Sequence, residues 1–191
     1  MVKKINFQNF VNRERRLDRV TRFSAHKRIK DQSVSEHSFH TAMYAMILAD
    51  LEKKFYGKKL DVEKILRIAL LHDLEECLTG DIIHTFKYTD KNLKTLIEKF
   101  GREYLEGLLK NLDEEISKDY LGFWMGSHDK NKIEGRIVEA ADKLEGLFYA
   151  IDEYSLGNKE FKEIIGIYIK LLRKMRLKSV GLVLLGLKAY I

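Results

Sequence analysis

His37, His72, Asp73, Glu76 and Asp142 have the chemistry to bind and use a metal ion. His72-Asp73-Leu74-Glu75-Glu76 continues an apolar helical stretch, and at 3.6 residues per turn His72, Asp73 and Glu76 fall within an arc of about 100°. Ala69 and Ile65 share that arc and Ile68 flanks it, so the polar trio points into the apolar face. An unpaired carboxylate there is expensive to desolvate, and a cation is the simplest compensation. His37 poses the same question one helix earlier, because Thr41, Tyr44, Leu48 and Leu51 share its face. Asp142 lies in Glu139-Ala140-Ala141-Asp142-Lys143-Leu144-Glu145, where two alanines let neighbouring backbones approach closely. Two imidazoles and two carboxylates from three helices suit one divalent ion, with manganese, iron, cobalt, nickel, zinc and magnesium as candidates. Taken singly, each residue fits the plainer role of a hydrogen-bonded core group. The combination is what points to a metal.

His37, the pair His72-Asp73 and the distant Asp142 on successive helices resemble the H…HD…D signature of the HD-domain phosphohydrolases. Ser35-Glu36-His37-Ser38, followed by His72-Asp73-Leu74-Glu75-Glu76-Cys77-Leu78-Thr79-Gly80-Asp81, is similar to the 5′-deoxynucleotidase branch of that superfamily over roughly Phe7 to Tyr154. The resemblance implies an all-α HD-domain fold with the metal site between central helices, and His37, His72, Asp73 and Asp142 as ligands of one divalent ion. It further implies Glu76 as catalytic acid, Asp81 as the acid of the T-G-D turn, and Arg22 as the arginine that meets the substrate phosphate. Phe23 stands where relatives often carry tryptophan, which keeps an aromatic face beside the sugar and base. The implied reaction is removal of the 5′-phosphate from deoxynucleoside monophosphates. A divalent cation would supply an ionisable water and polarise a phosphoryl oxygen, Arg22 a bidentate fork for two oxygens, and Glu76 a carboxyl to move protons to the leaving oxygen, acting first as acid or first as base. The alternatives are an HD phosphohydrolase acting on a triphosphate, cyclic nucleotide or alarmone, or a non-catalytic nucleotide-binding regulator.

The elements that must position these residues read as helices. A 3.6-residue rhythm recurs over 36–55, 62–77, 91–109, 112–125, 133–154 and 161–175, and runs of period-two alternation are missing. Proline is absent, so glycine and polar caps must end the helices. Ser33 or Ser35 is a plausible start for the first, Asp61 for the second, and Gly57 and Gly101 mark expected breaks. The connectors 22–35 and 79–89 keep polar residues without helical rhythm and are candidate walls of a site. Lys87, six residues past Asp81, either adds positive potential near the phosphate or is a solvated lysine. His40, His84 and His128 could enlarge the metal site, but the ligand count on the matched helices favours one metal.

With 191 residues, no internal composition break and 45% hydrophobic against 34% charged residues, the chain reads as a single domain, residues 1–191. Its core resembles the family over 7–154, and the C-terminal helices, 158–191, serve packing or dimer contacts. The net charge of +6 admits phosphorylated partners, but basic residues are scattered rather than striped, so a small nucleotide is expected and nucleic acid is not. A lone cysteine, Cys77, excludes an internal disulfide and a cysteine-ligated zinc site and fits a cytoplasmic location. The N-terminus lacks the apolar stretch of a signal peptide. The C-terminal apolar run, Gly181 to Leu187, is far short of the roughly 20 residues a membrane span needs. The apolar segment 177–191 suits a homodimer contact.

Overall fold

The chain builds its helices between polar caps. The structure, a computed structural model, describes residues 5–83, 86 and 89–187. Its described helices are α1 (Phe7–Glu14), α2 (Val34–Tyr56), α3 (Val62–Leu71), the short α4 (Glu76–Thr79), α5 (Lys91–Leu109), α6 (Glu114–Ser127), α7 (Ile133–Ser155), α8 (Phe161–Lys174) and α9 (Lys178–Leu187). A 3-10 turn, Arg15–Arg19, follows α1. The described residues contain no strand, only an isolated antiparallel bridge between Thr21 and Ser33.

Ser33, not Ser35, opens α2 with a reciprocal cap. Its hydroxyl accepts the Glu36 N–H at 3.2 Å while the Glu36 carboxylate accepts the Ser33 N–H at 2.7 Å. Gly57 closes the same helix in the left-handed region at φ 62°. Asp61, Asp90 and Asp113 cap α3, α5 and α6 through side-chain oxygens that accept first-turn N–H groups.

Two expectations from the periodicity are corrected. The rhythm over 62–77 is not one helix: α3 stops at Leu71, and 72–75 form turns with three-residue hydrogen bonds, Leu74 N–H to Leu71 O and Glu76 N–H to Asp73 O. The carbonyl of Ala69, next in line for a helical N–H, instead accepts from the His72 ring at 2.7 Å. Gly101 is no break either; it lies inside α5, where a methyl group would come 3.3 Å from Cγ of Glu75. Its small size serves a close helix approach and not a helix end.

Buried side chains form two clusters. The larger gathers Ala45, Leu48, Ile65, Ile68, Ile137 and Leu147 with the C-terminal helices; the smaller gathers Leu17, Val34, Leu74, Leu105, Leu108 and Trp124. Each fully buried Leu or Ile is worth about 1.5–3 kcal/mol. Along α2 the chain passes from Val34 in one cluster to Ala42 in the other, with His37 between them. Beyond α3 it passes from Ala69 to Leu74, with His72 and Asp73 between. The polar residues therefore sit at the seam of the two cores, where oil-like packing is already interrupted.

Candidate metal centre and active site

The seam is a focus of electron-rich atoms. His37 Nε2 lies 3.1 Å from His72 Nε2, and Asp73 Oδ2 lies 3.3 Å from the first and 3.1 Å from the second. Asp142, from α7, brings Oδ1 to 3.4 Å from His37 Nε2. His37, His72 and Asp73 offer one ligand atom each, all within 4.8 Å of one another, and among the described residues they are the group with the geometry to hold a metal ion. Both imidazoles have their tautomers assigned by a partner on the far ring nitrogen. His37 Nδ1–H donates to Glu145 Oε2 at 2.6 Å, and His72 Nδ1–H donates to the Ala69 carbonyl at 2.7 Å. Each ring thus turns an Nε2 lone pair toward its neighbour, beside two carboxylates. Such a cluster is repulsive without a positive charge at its centre, and imidazole with carboxylate is a donor set suited to first-row divalent ions.

The ionisation equilibria report the same demand for a cation. Burial works against the charged form of His72, but the charge and hydrogen bond of Asp73, the charge of Asp142 and the Ala69 carbonyl outweigh it, and the ring is pushed up to about 9. Burial likewise raises Asp73 and Asp142. Asp73 nevertheless falls well below the usual carboxylate range because of His72 and His37, and Asp142 is lowered by Lys143, His37 and His72.

Glu145 was not singled out by the sequence, yet it ties the centre together. Its Oε2 accepts from Arg22 Nη1 as well as from His37, both at 2.6 Å, and its Oε1 accepts from Gln32 Nε2 at 2.6 Å. The available signal was spacing: Asp142, Glu145, Tyr149 and Glu153 recur at three and four residues, one face of α7. That whole face grips the connector 22–33. The Tyr149 hydroxyl donates to the Lys30 carbonyl at 2.6 Å, and the buried Glu153 accepts the N–H groups of Ile29 and Lys30 at 2.9 and 2.7 Å. These bonds hold Glu153 below its ordinary value although burial acts to raise it.

Arg22 is thereby placed at the centre, with Nη2 3.9 Å from Asp142 Oδ1 and a side chain only 12% exposed. Phe23 follows with φ 53°, a left-handed conformation that a bulky residue rarely adopts. It is held there by Asp81, whose Oδ2 accepts the Phe23 N–H at 3.0 Å, and by stacking of the ring on Tyr149 at 5.0 Å. The Arg22 guanidinium lies 5.3 Å from the same ring. Phe23 is thus committed to an aromatic pile with Tyr149 and Phe161. Asp81 spends one oxygen on loop geometry.

Glu76 sits at the start of α4 within electrostatic reach of Asp73, Asp81 and Arg22. Burial first, then the charges of Asp73, Asp81 and Glu75, raise its carboxyl well above the ordinary range, with Arg22 opposing. A bound divalent ion would act in the same direction as Arg22. A cleft of about 170 Å³ opens beside His72, Asp73 and Asp142, walled on its other side by Ser127, His128 and Lys130. His128 therefore lines the same cleft as the cluster, with its ring on Trp124 at 4.7 Å. His40 faces a different cavity, of about 140 Å³, behind Glu145 with Tyr44 and Asp152. His84 and Lys87 lie outside the described residues.

Solved structures share this architecture. An HD-domain phosphohydrolase from Listeria innocua superposes with a TM-score of 0.77 over 92% of this chain and 82% of its own, at 23% identity. A Pyrococcus horikoshii protein reaches a TM-score of 0.77 over 96% of this chain and 99% of its own, at 22% identity. The fold is the HD-domain fold of the phosphohydrolases.

Sequence relationships narrow the class. The profile of the family described as 5′-deoxynucleotidase YfbR-like matches residues 9–186, and the chain belongs to that family. The match runs beyond Tyr154 and takes in α8 and α9. A 5′-deoxynucleotidase of Vibrio parahaemolyticus is 32% identical over 76% of this chain and 75% of its own length. One from Pectobacterium atrosepticum is 30% identical over 82% and 78%. Among the described residues no helix is long and apolar enough to cross a membrane.

Proposed function

We propose that this chain is a divalent-metal-dependent phosphomonoesterase that removes the 5′-phosphate from deoxynucleoside monophosphates. The observation that carries the reading is the convergence of two Nε2 lone pairs and two carboxylates beside a buried arginine. The names of the relatives supply the substrate class. His37, His72, Asp73 and Asp142 would hold the ion, which when bound supplies an acidified water and polarises a phosphoryl oxygen. Arg22, fixed by Glu145, presents its guanidinium to the phosphate oxygens and orients the ester for in-line attack. Glu76, whose carboxyl is raised by burial and by Asp73, Asp81 and Glu75, would deliver a proton to the departing 5′-oxygen. Asp81 and Phe23 shape the wall on which the nucleoside rests.

The test is a phosphate-release screen of nucleoside mono-, di- and triphosphates, with deoxy and ribo sugars, over manganese, cobalt, iron, nickel, zinc and magnesium. Turnover of 5′-deoxynucleoside monophosphates that depends on added metal and far exceeds turnover of their ribo and 3′ counterparts is the expected result. Equal kcat/KM for dAMP and AMP, or full activity after chelation, would overturn the assignment.

A further inference from the structure

Tyr168 projects from α8, outside the set of residues the motif identifies, and reaches the centre over a glycine. Gly146 is buried in the middle of α7, four residues after Asp142 and next to Glu145. A methyl group built on it would lie 2.5 Å from both the Tyr168 hydroxyl oxygen and the ring carbon that bears it. Glycine in a helix interior costs about 1 kcal/mol relative to alanine, and here the missing side chain is the space the phenol occupies. The ring tip therefore rests directly on the stretch of α7 that carries Asp142 and Glu145.

The hydroxyl is within electrostatic reach of Arg22, Asp142, Glu145 and Asp81. It is neutral, as an ordinary phenol is, and burial, opposed by Arg22, pushes its pKa up further to about 12. Among the described residues it has no hydrogen-bond acceptor. Of the carboxylates in reach, Glu145 already serves Arg22, His37 and Gln32, and Asp142 faces the His37 ring. A neutral donor held half-buried within electrostatic reach of a guanidinium, with no acceptor among the described residues, is matched to an anionic ligand.

We propose that the Tyr168 hydroxyl donates a hydrogen bond directly to the substrate phosphate, completing a cradle with Arg22 and the metal cluster. Gly146 is the residue that lets it in. The proposal rests on the phosphomonoesterase reading for the identity of the anion, but its test does not require turnover. Tyr168→Phe removes the donor and keeps the ring over Gly146, so fold and metal content should match the unaltered protein.

The decisive measurement is calorimetric binding of inorganic phosphate to the manganese-loaded protein, paired with kcat/KM for dAMP. Loss of one hydrogen bond to a charged group predicts about 10- to 100-fold weaker phosphate binding and a comparable fall in kcat/KM. Gly146→Ala, which displaces the phenol without altering it, should reproduce the loss; if that variant does not fold, Tyr168→Phe alone decides. Phosphate affinity within twofold of the unaltered protein in Tyr168→Phe would overturn the proposal, as would a manganese-loaded parent protein that binds no phosphate. A parent that binds phosphate but hydrolyses no deoxynucleotide would refute the substrate reading instead, and leave Tyr168 to be judged on phosphate affinity.

Discussion

Replacing Glu145 by alanine tests whether one carboxylate holds His37, Arg22 and the connector together. Three side chains donate to it at 2.6 Å, and its own side chain is 3% exposed. A hydrogen bond to a charged group contributes about 1.5–3 kcal/mol. Removing one partner of a buried ion pair costs about 3–5 kcal/mol, because the surviving charge stays desolvated. Arg22 is 12% exposed and has Asp142 at 3.9 Å as a partial substitute, which puts the expected loss at the lower end, about 3 kcal/mol. For a domain of this size that lowers Tm by about 6–12 °C. The assay is urea denaturation of chelator-treated protein, so that altered metal affinity does not enter the balance. Arg22→Ala and the double variant complete a cycle, and the double variant should be less destabilised than the sum because no charge is left stranded. Additivity within about 0.5 kcal/mol, or a Glu145→Ala loss below about 1 kcal/mol, would refute the reasoning.

Metal analysis separates holding the ion from moving protons: Asp73→Ala should lose bound metal, whereas Glu76→Ala should keep it and lose at least about 100-fold in kcat. An active Glu76→Ala variant would remove that residue from the proton transfer. Metal affinity should also depend on pH through His72. Its pKa in the folded, metal-free state is raised from 6.5 to about 9, so its stabilising contribution is complete below about 6.5 and is lost as pH rises through about 9. A metal ion must displace that proton, and titrations between pH 6.5 and 8.5 should show affinity rising about tenfold per unit; a flat profile would contradict it. Gly135→Ala should be severe, since its methyl would lie 2.4 Å from the Asp129 carbonyl oxygen and 2.6 Å from that of Gly126. Thermal melts should show a loss of about 1–3 kcal/mol, and an unchanged Tm would mean the backbone yields there freely.

The helices and the polar residues that cluster at the seam were legible because both depend on local patterns. Apolar periodicity gave α2, α3 and α7, and polar groups interrupting an apolar face exposed His37, His72 and Asp73. The break after Leu71 was not legible, because it depends on the His72 ring competing for a backbone carbonyl, which apolar spacing does not encode. Gly101 was misread for a related reason: a glycine that admits a neighbour and one that ends a helix look alike until the neighbour, Glu75, is known. Glu145 and Tyr168 went unread because their partners are 108 to 123 residues away for the first and are met only across a glycine for the second. Phe23 was legible as an aromatic beside Arg22, but its left-handed backbone and its place in the stack with Tyr149 follow from the anchoring of the connector by Asp81.

The grip of α7 on the connector 22–33 has a consequence for how binding affinity is divided between folding and ligand capture. Ordering a backbone residue costs about 1–2 kcal/mol, and a mobile segment bearing the arginine would charge that cost against every association event. Here Glu145, Tyr149 and Glu153 settle it once, during folding, by fastening the segment at Arg22, Lys30 and Gln32 to a rod that also bears Asp142. Between those fastenings, Ser24 to Lys27 are exposed and can drift in sequence without disturbing the register of the arginine. A lineage can therefore revise this exposed stretch while the distance between the Arg22 guanidinium and the cluster of His37, His72, Asp73 and Asp142 stays fixed.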